Sequence, residues 1–135
     1  MTIFDSEIKT IHAPSEAVFA KLTNIQNLDQ LAGSTPHEKL KISRVTADTC
    51  FFEVDIIGEI GIKLVDKKPN SLLFFQSEQS PMAFNLSINL TDKQEDTDIH
   101  IQLKADLPMM IKMMASEPIN KFINILADTL TTLSY

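Results

Sequence analysis

The residues able to do chemistry in this 135-residue chain are few and scattered. Its three histidines, His12, His37 and His100, fall in no HxH or HExxH spacing, and Cys50 is its one cysteine, so the sequence predicts neither a metal site nor a cofactor. Cys50 sits on an inward strand position with no neighbouring cue for a lowered pKa, which makes it a small buried hydrophobe. A Gly-x-Ser-x-Gly elbow and a glycine-rich phosphate loop are both missing. Gly58-Glu59-Ile60-Gly61 has the Gly-x-x-Gly form of an RNA-binding loop, but it lies among strand patterns and reads as a bend or bulge.

Acid–base catalysis needs polar groups held inside a pocket. The chain offers a single arginine, Arg44, and a single tyrosine, Tyr135, with Ser6, Thr10, Gln76 or Ser77, and Asn85 as uncharged candidates. Glu53 and Asp55 alternate to the wet side of their strand, so no catalytic residue is predicted. Thioethers are the exception to this scarcity: Met109, Met110, Met113 and Met114 fall within six residues, and Met82 precedes a later strand. Such flexible, polarizable side chains suit a deformable mouth, and ordinary packing of a short helical turn is the rival reading.

The elements that must position these residues follow from hydrophobic periodicity. Residues 2 to 12 place Phe4, Ser6, Ile8 and Thr10 on one side and Asp5, Glu7 and Lys9 on the other, the period of a half-buried strand. Ala13-Pro14 ends it. Val18, Phe19 and Leu22 then recur at helical spacing, and Asn24 can cap a second short helix carrying Ile25, Leu28 and Leu31. Six strand patterns follow: Lys39 to Val45, Cys50 to Ile56, Glu59 to Lys67, Leu72 to Glu78, Ala83 to Leu90, and Asp98 to Asp106. Their short connections join antiparallel neighbours, since parallel ones need a long crossover. Beyond Leu107-Pro108, the stripe Ile119, Phe122, Ile123, Leu126, Ala127, Leu130 and Leu133 marks the longest helix.

The order β-α-α-β6-α predicts one α+β domain over residues 1–135, a seven-stranded curved antiparallel sheet with one wet face and a long C-terminal helix covering the other. Inward positions by alternation are Phe4, Ser6, Ile8, Cys50, Phe52, Val54, Ile56, Ile60, Ile62, Leu64, Phe75, Phe84, Leu86, Ile88, Ile99, Ile101 and Leu103, and the helix turns Phe122 and Leu126 toward them. These side chains either fill the space between sheet and helix or line a cavity there, and periodicity alone does not distinguish the two.

Composition bounds the partners. Eighteen acidic residues against 12 basic ones give a net charge of −6 with the lysines dispersed, which offers nucleic acid no concentrated positive footprint. No run of apolar residues is long enough for a membrane span. The first residues lack the basic and unbroken apolar regions of a signal peptide, and a lone cysteine suits a reducing cytoplasm. The oligomeric state is left open.

The stretch Ile11-His12-Ala13-Pro14-Ser15-Glu16-Ala17-Val18-Phe19, followed by Leu22-Thr23-Asn24, resembles the strand-to-helix junction of the helix-grip superfamily that includes START domains, the birch-pollen allergen family and polyketide cyclases (SRPBCC or START-like). The element order matches over essentially the whole chain. The resemblance implies a cavity between sheet and helix that takes lipids, sterols, polyketides, plant hormones or quinone-like molecules. In this chain that cavity would be lined by Phe4, Ser6, Ile8, Phe52, Val54, Ile62, Leu64, Phe75, Phe84, Leu86, Ile88, Ile101, Leu103, Phe122 and Leu126. Its mouth would carry Met82, Met109, Met110, Met113 and His37, the last in a loop that can border an entrance in this fold. The expectation is a noncatalytic binder or carrier of a hydrophobic small molecule, assisted by hydrogen bonds from Ser6, Thr10 or the Leu72 to Glu78 strand. A cyclase-type enzyme on a hydrophobic substrate is the alternative. A protein-interaction module like the Hsp90 activators is another, although the tryptophan-rich segments of that branch are missing from a chain without tryptophan.

Overall fold

A computed structural model describes residues 2–29 and 41–135. Eight strands form one antiparallel sheet: β1 Thr2–Asp5, β2 Lys9–Ile11, β3 Lys41–Val45, β4 Thr49–Val54, β5 Gly58–Lys68, β6 Leu72–Glu78, β7 Phe84–Lys93 and β8 Asp96–Ala105. Helix α1, Ser15–Thr23, and a 3₁₀ turn, Ile25–Asp29, separate β2 from β3, and helix α2, Met109–Leu130, follows β8. The spatial order is β1-β8-β7-β6-β5-β4-β3, with β2 beside β1 on β8. From β3 to β8, neighbours in sequence are neighbours in space, as short hairpin connections require, and β1 and β2 close onto β8.

The expected first strand is divided in two by a bulge, which raises the strand count from seven to eight. Asp5 pairs with Gln102 and Lys9 with Ile99, so four steps on one strand oppose three on the other. Ser6 supplies the reason. Its N–H donates to the Ile101 carbonyl at 2.8 Å, while its Oγ accepts the Ile101 N–H at 2.8 Å and donates to the Glu7 carbonyl at 2.9 Å. The side-chain oxygen takes the place of a ladder carbonyl. The Glu7 N–H then leaves the sheet for Asn124 Oδ1 of α2, 2.8 Å away. Beyond the bulge the alternation inverts, so Ile8 is 68% exposed and Ile11 is buried instead.

β4 ends at Val54, before the predicted limit at Ile56. Ile56 turns out of the sheet at φ 73°, a left-handed backbone that β-branched residues rarely adopt, and is 76% exposed instead of facing inward. Gly58, at φ 100°, completes the turn. Gly61 carries no bulge and pairs with Phe51, whose ring lies over it. The irregularity of β5 lies instead at Val65, between the Leu64–Phe75 and Asp66–Phe74 pairs.

Phe51 points to the outer face and is nevertheless buried. The Arg44 guanidinium stands 3.8 Å above its ring centroid, a cation–π cover, and reaches Glu59 at 3.5 Å and Gln79 at 3.4 Å. The outer face of the β3–β4–β5 wall is therefore fastened by one aromatic ring held between a glycine and an arginine.

Helix α2 has 22 residues, so the four methionines occupy its first turns and not a separate segment before it. Its buried residues begin at Ala115 and continue through Ile119, Phe122, Ile123, Leu126, Ala127 and Leu130 at helical spacing. They join one core with Phe4, Phe52, Phe75, Leu86, Ile88, Ile101 and Leu103 of the sheet.

Candidate functional site

Between α2 and the end of β4 lies a cleft of about 610 Å³. Val54 and Phe122 form its floor, and both are nearly closed to solvent. Phe122 is fixed from behind by Phe52, whose ring centroid lies 5.2 Å away in an edge arrangement. Pro118 and Ile125 build the helix wall, Ile56 the opposite lip, and Met113 and Met114 the outer end. Lys41, Glu53, Asp55, Glu117 and Lys121 also line the cleft, and among the described residues none of the five forms an ion pair with another.

The cleft exists because the two elements part company. Cys50, Phe52 and Val54 are buried in the core, but beyond Val54 the strand gives way to the left-handed turn at Ile56. On the helix, Met114, Pro118, Lys121, Phe122 and Ile125 share one side at i, i+4, i+7, i+8 and i+11. Pro118 has no N–H to give the Met114 carbonyl, so this side also contains the one backbone position where the helix ladder loses a donor.

Of the residues that sequence assigns to a cavity, Val54 and Phe122 line this cleft. Phe4, Ser6, Phe52, Ile62, Phe75, Phe84, Leu86, Ile88, Ile101, Leu103 and Leu126 are buried, and Leu64 is half-buried beside them. Ile8 lies outside on the exposed side of the bulge. Of the residues assigned to a mouth, Met113 lines the cleft, Met109 and Met110 project from the preceding turn of the same helix, and Met82 packs half-buried against the core. His37 lies outside the described residues.

The polar candidates are committed elsewhere. Ser6 is occupied by the bulge. Thr10 faces out and donates to Asp98 at 2.8 Å. Ser77 Oγ accepts the Phe84 N–H at 3.1 Å, and Gln76 is exposed. The Tyr135 hydroxyl donates to the Leu130 carbonyl at 2.6 Å, and burial pushes its pKa upward. His12 and His100 sit on the outside beside Asp96 and Asp5, at 3.3 and 3.2 Å. No group of three His, Cys, Asp or Glu among the described residues is placed to hold a metal ion. No helix among them is long and apolar enough to cross a membrane.

What sequence reasoning missed is the ring of charges and the wall residues Pro118 and Ile125. Their signal was the helical spacing from Met114, which becomes readable once α2 is extended back to Met109.

No protein-family profile matches this sequence, and no curated protein matches it either. Solved structures do match in three dimensions. A START superfamily protein from Mycobacterium smegmatis aligns at TM-score 0.59 and 14% identity, over 98% of this chain and 99% of its own. The Zhui aromatase/cyclase from Streptomyces sp. R1128 aligns at 0.65 and 13%, over 96% and 91%. The Aha1 dimer from Colwellia psychrerythraea aligns at 0.60 and 17%, over 98% and 96%. With its curved antiparallel sheet closed over a long C-terminal helix, this chain has the helix-grip fold that these structures share.

Proposed function

We propose that the protein binds a hydrophobic small molecule, of lipid, polyketide or quinone-like character, in the cleft between α2 and the end of β4, without transforming it. The observation that carries this reading is the cleft itself: about 610 Å³, with buried Val54 and Phe122 at its base and Ile56, Met113, Met114, Pro118 and Ile125 lining it beside five charged residues. That volume lies in the range of small-molecule sites, and each apolar Å² covered favours binding by about 25 cal/mol. Val54 and Phe122, at the base, carry no acid or base; Glu53, Asp55 and Glu117, which also line the cleft, are the groups that the alternative, a cyclase-type enzyme, would use. Nucleic acid is no part of this proposal, and the buried single cysteine suits work in the cytoplasm.

The test is native mass spectrometry of the purified protein after incubation with a lipid extract, repeated on Ile125→Trp. Wild type should retain one unmodified hydrophobic molecule, and the variant, with its wall grown into the trough, should retain about tenfold less or none. Equal retention by both would move the site elsewhere. Recovery of a chemically altered molecule would favour the enzyme.

A further inference from the structure

The chain's sulfur is unevenly placed. Cys50 is 0% exposed and Met82 is half-buried, whereas Met109, Met110, Met113 and Met114 are exposed by 77, 79, 79 and 63%. These four lie on one side of α2, since Met109 and Met113, and Met110 and Met114, are each one helical turn apart. Among the described residues, a soluble oxidant therefore meets these thioethers before it meets the thiol. Two of the four, Met113 and Met114, line the outer end of the cleft, and the other two do not.

We propose that Met113 and Met114 are an oxidative modification site which sets the affinity of the cleft for apolar ligands; the inference rests on the binding function proposed above. The oxidant is a two-electron peroxide. The thioether sulfur attacks one peroxide oxygen, the S–O bond forms as the O–O bond breaks, the second oxygen leaves as water after taking up a proton, and sulfur is oxidised by two electrons while the peroxide is reduced by two. The product sulfoxide replaces a flexible apolar side chain with a polar, chiral one, and methionine sulfoxide reductases reverse the change.

The consequence is specific to position. A sulfoxide at Met113 or Met114 is hydrated while the cleft is empty, and an apolar guest seated against it strips that water away. A sulfoxide at Met109 or Met110 projects into water and leaves the trough as it was. Position thus separates a switch from incidental damage within six residues.

Trypsin makes the test direct, because cleavage after Lys104, Lys112 and Lys121 places Met109 and Met110 in one peptide and Met113 and Met114 in the next. The folded protein is treated with graded hydrogen peroxide, the oxygens are located by peptide mass spectrometry, and affinity for 11-(dansylamino)undecanoic acid is followed by fluorescence. The expected result is oxygen on both peptides ahead of the one carrying Met82, with binding weakened about tenfold as the 113–121 peptide is oxidised. Met113→Leu/Met114→Leu, compared with its own untreated affinity, should lose none of it in peroxide, while Met109→Leu/Met110→Leu should lose binding as wild type does. Undiminished binding by wild type whose 113–121 peptide carries oxygen on both methionines overturns the switch and leaves the cleft reading standing. A loss that persists in Met113→Leu/Met114→Leu does the same. If untreated wild type takes up no probe, the cleft reading falls and the switch with it.

Discussion

From Met109 to Met114 and from Ile119 to Leu130, α2 is built of comparably apolar residues, but the sheet treats its two ends differently. In the second half, Ile119, Phe122, Ile123, Leu126, Ala127 and Leu130 are buried. In the first, Met109, Met110, Met113 and Met114 are exposed and no residue before Ala115 is buried. What differs is the strand framework opposite. The β1–β2 bulge turns the Glu7 N–H toward Asn124, and Lys9 reaches Asp128 at 4.0 Å, so the sheet edge holds the C-terminal half of the helix directly. Opposite the N-terminal half, β4 stops at Val54 and its turn leads away. Burial along this helix is set by how far the strands reach, and the cleft opens where they stop.

The sharpest way to break that comparison is to truncate one side chain in each half. Leu126→Ala should cost about 2–5 kcal/mol of stability by urea unfolding, because the packed surroundings cannot collapse around the void. Met110→Ala should stay within about 0.5 kcal/mol of wild type. Similar losses for the two would mean that the first turns are covered in solution and that the contrast is wrong.

The next effect is on the outer face of the β3–β4–β5 wall. A Cβ on Gly61 would stand 2.5 Å from the Glu78 carbonyl oxygen and 2.7 Å from a ring carbon of Phe51. The carbonyl belongs to the β6 backbone and cannot rotate away, so Gly61→Val should destabilise by about 1–3 kcal/mol, measured the same way. A near-neutral result would show that Phe51 is not clamped between Gly61 and Arg44. Ser6→Ala should lose about 1–2 kcal/mol, because the buried Ile101 N–H loses its acceptor while its neighbours keep the same volume. Amide exchange at Ile101 should rise with it; unchanged protection there would mean that a backbone carbonyl can replace the hydroxyl and that the bulge does not depend on Ser6.

These particulars show what the sequence could and could not reveal. Strands β4 to β8 and the buried stripe of α2 were legible, since alternation and helical spacing report directly which side chains leave water. The β1–β2 bulge was not, because Phe4, Ser6 and Ile8 keep perfect alternation on paper; the interruption comes from a hydroxyl replacing a backbone acceptor, which no periodicity records. The start of α2 was hidden for the opposite reason. Periodicity detects burial, and the turns carrying Met109 to Met114 bury nothing. The cleft was legible only in part: Val54 and Phe122 follow from alternation, whereas Pro118, Ile125 and the surrounding charges depend on where two elements separate.

The smallest effect should arise at the far end of β4 from the cleft. Asp48, in the β3–β4 turn, is held below the usual carboxylate range first by a hydrogen bond from Thr49 Oγ1 at 3.0 Å and then by the attraction of Lys63, 3.5 Å away. A carboxylate with a lowered pKa in the fold contributes stability above its unfolded pKa and loses it as the pH falls through its folded value. Asp48→Asn should therefore melt slightly below wild type near neutral pH, and the gap should close as both proteins are acidified through the carboxylate range. Added salt should narrow the neutral gap, since the side chain is exposed. Dansyl-fatty-acid affinity should not change, because Asp48 precedes the first residue of β4 and the cleft is lined from the other end of the strand, by Glu53 and Val54. A gap that survives acidification would assign the loss to the turn's hydrogen bonds alone, and a change in affinity would mean that β4 transmits strain along its whole length and that the fastened and open ends of the wall are not independent.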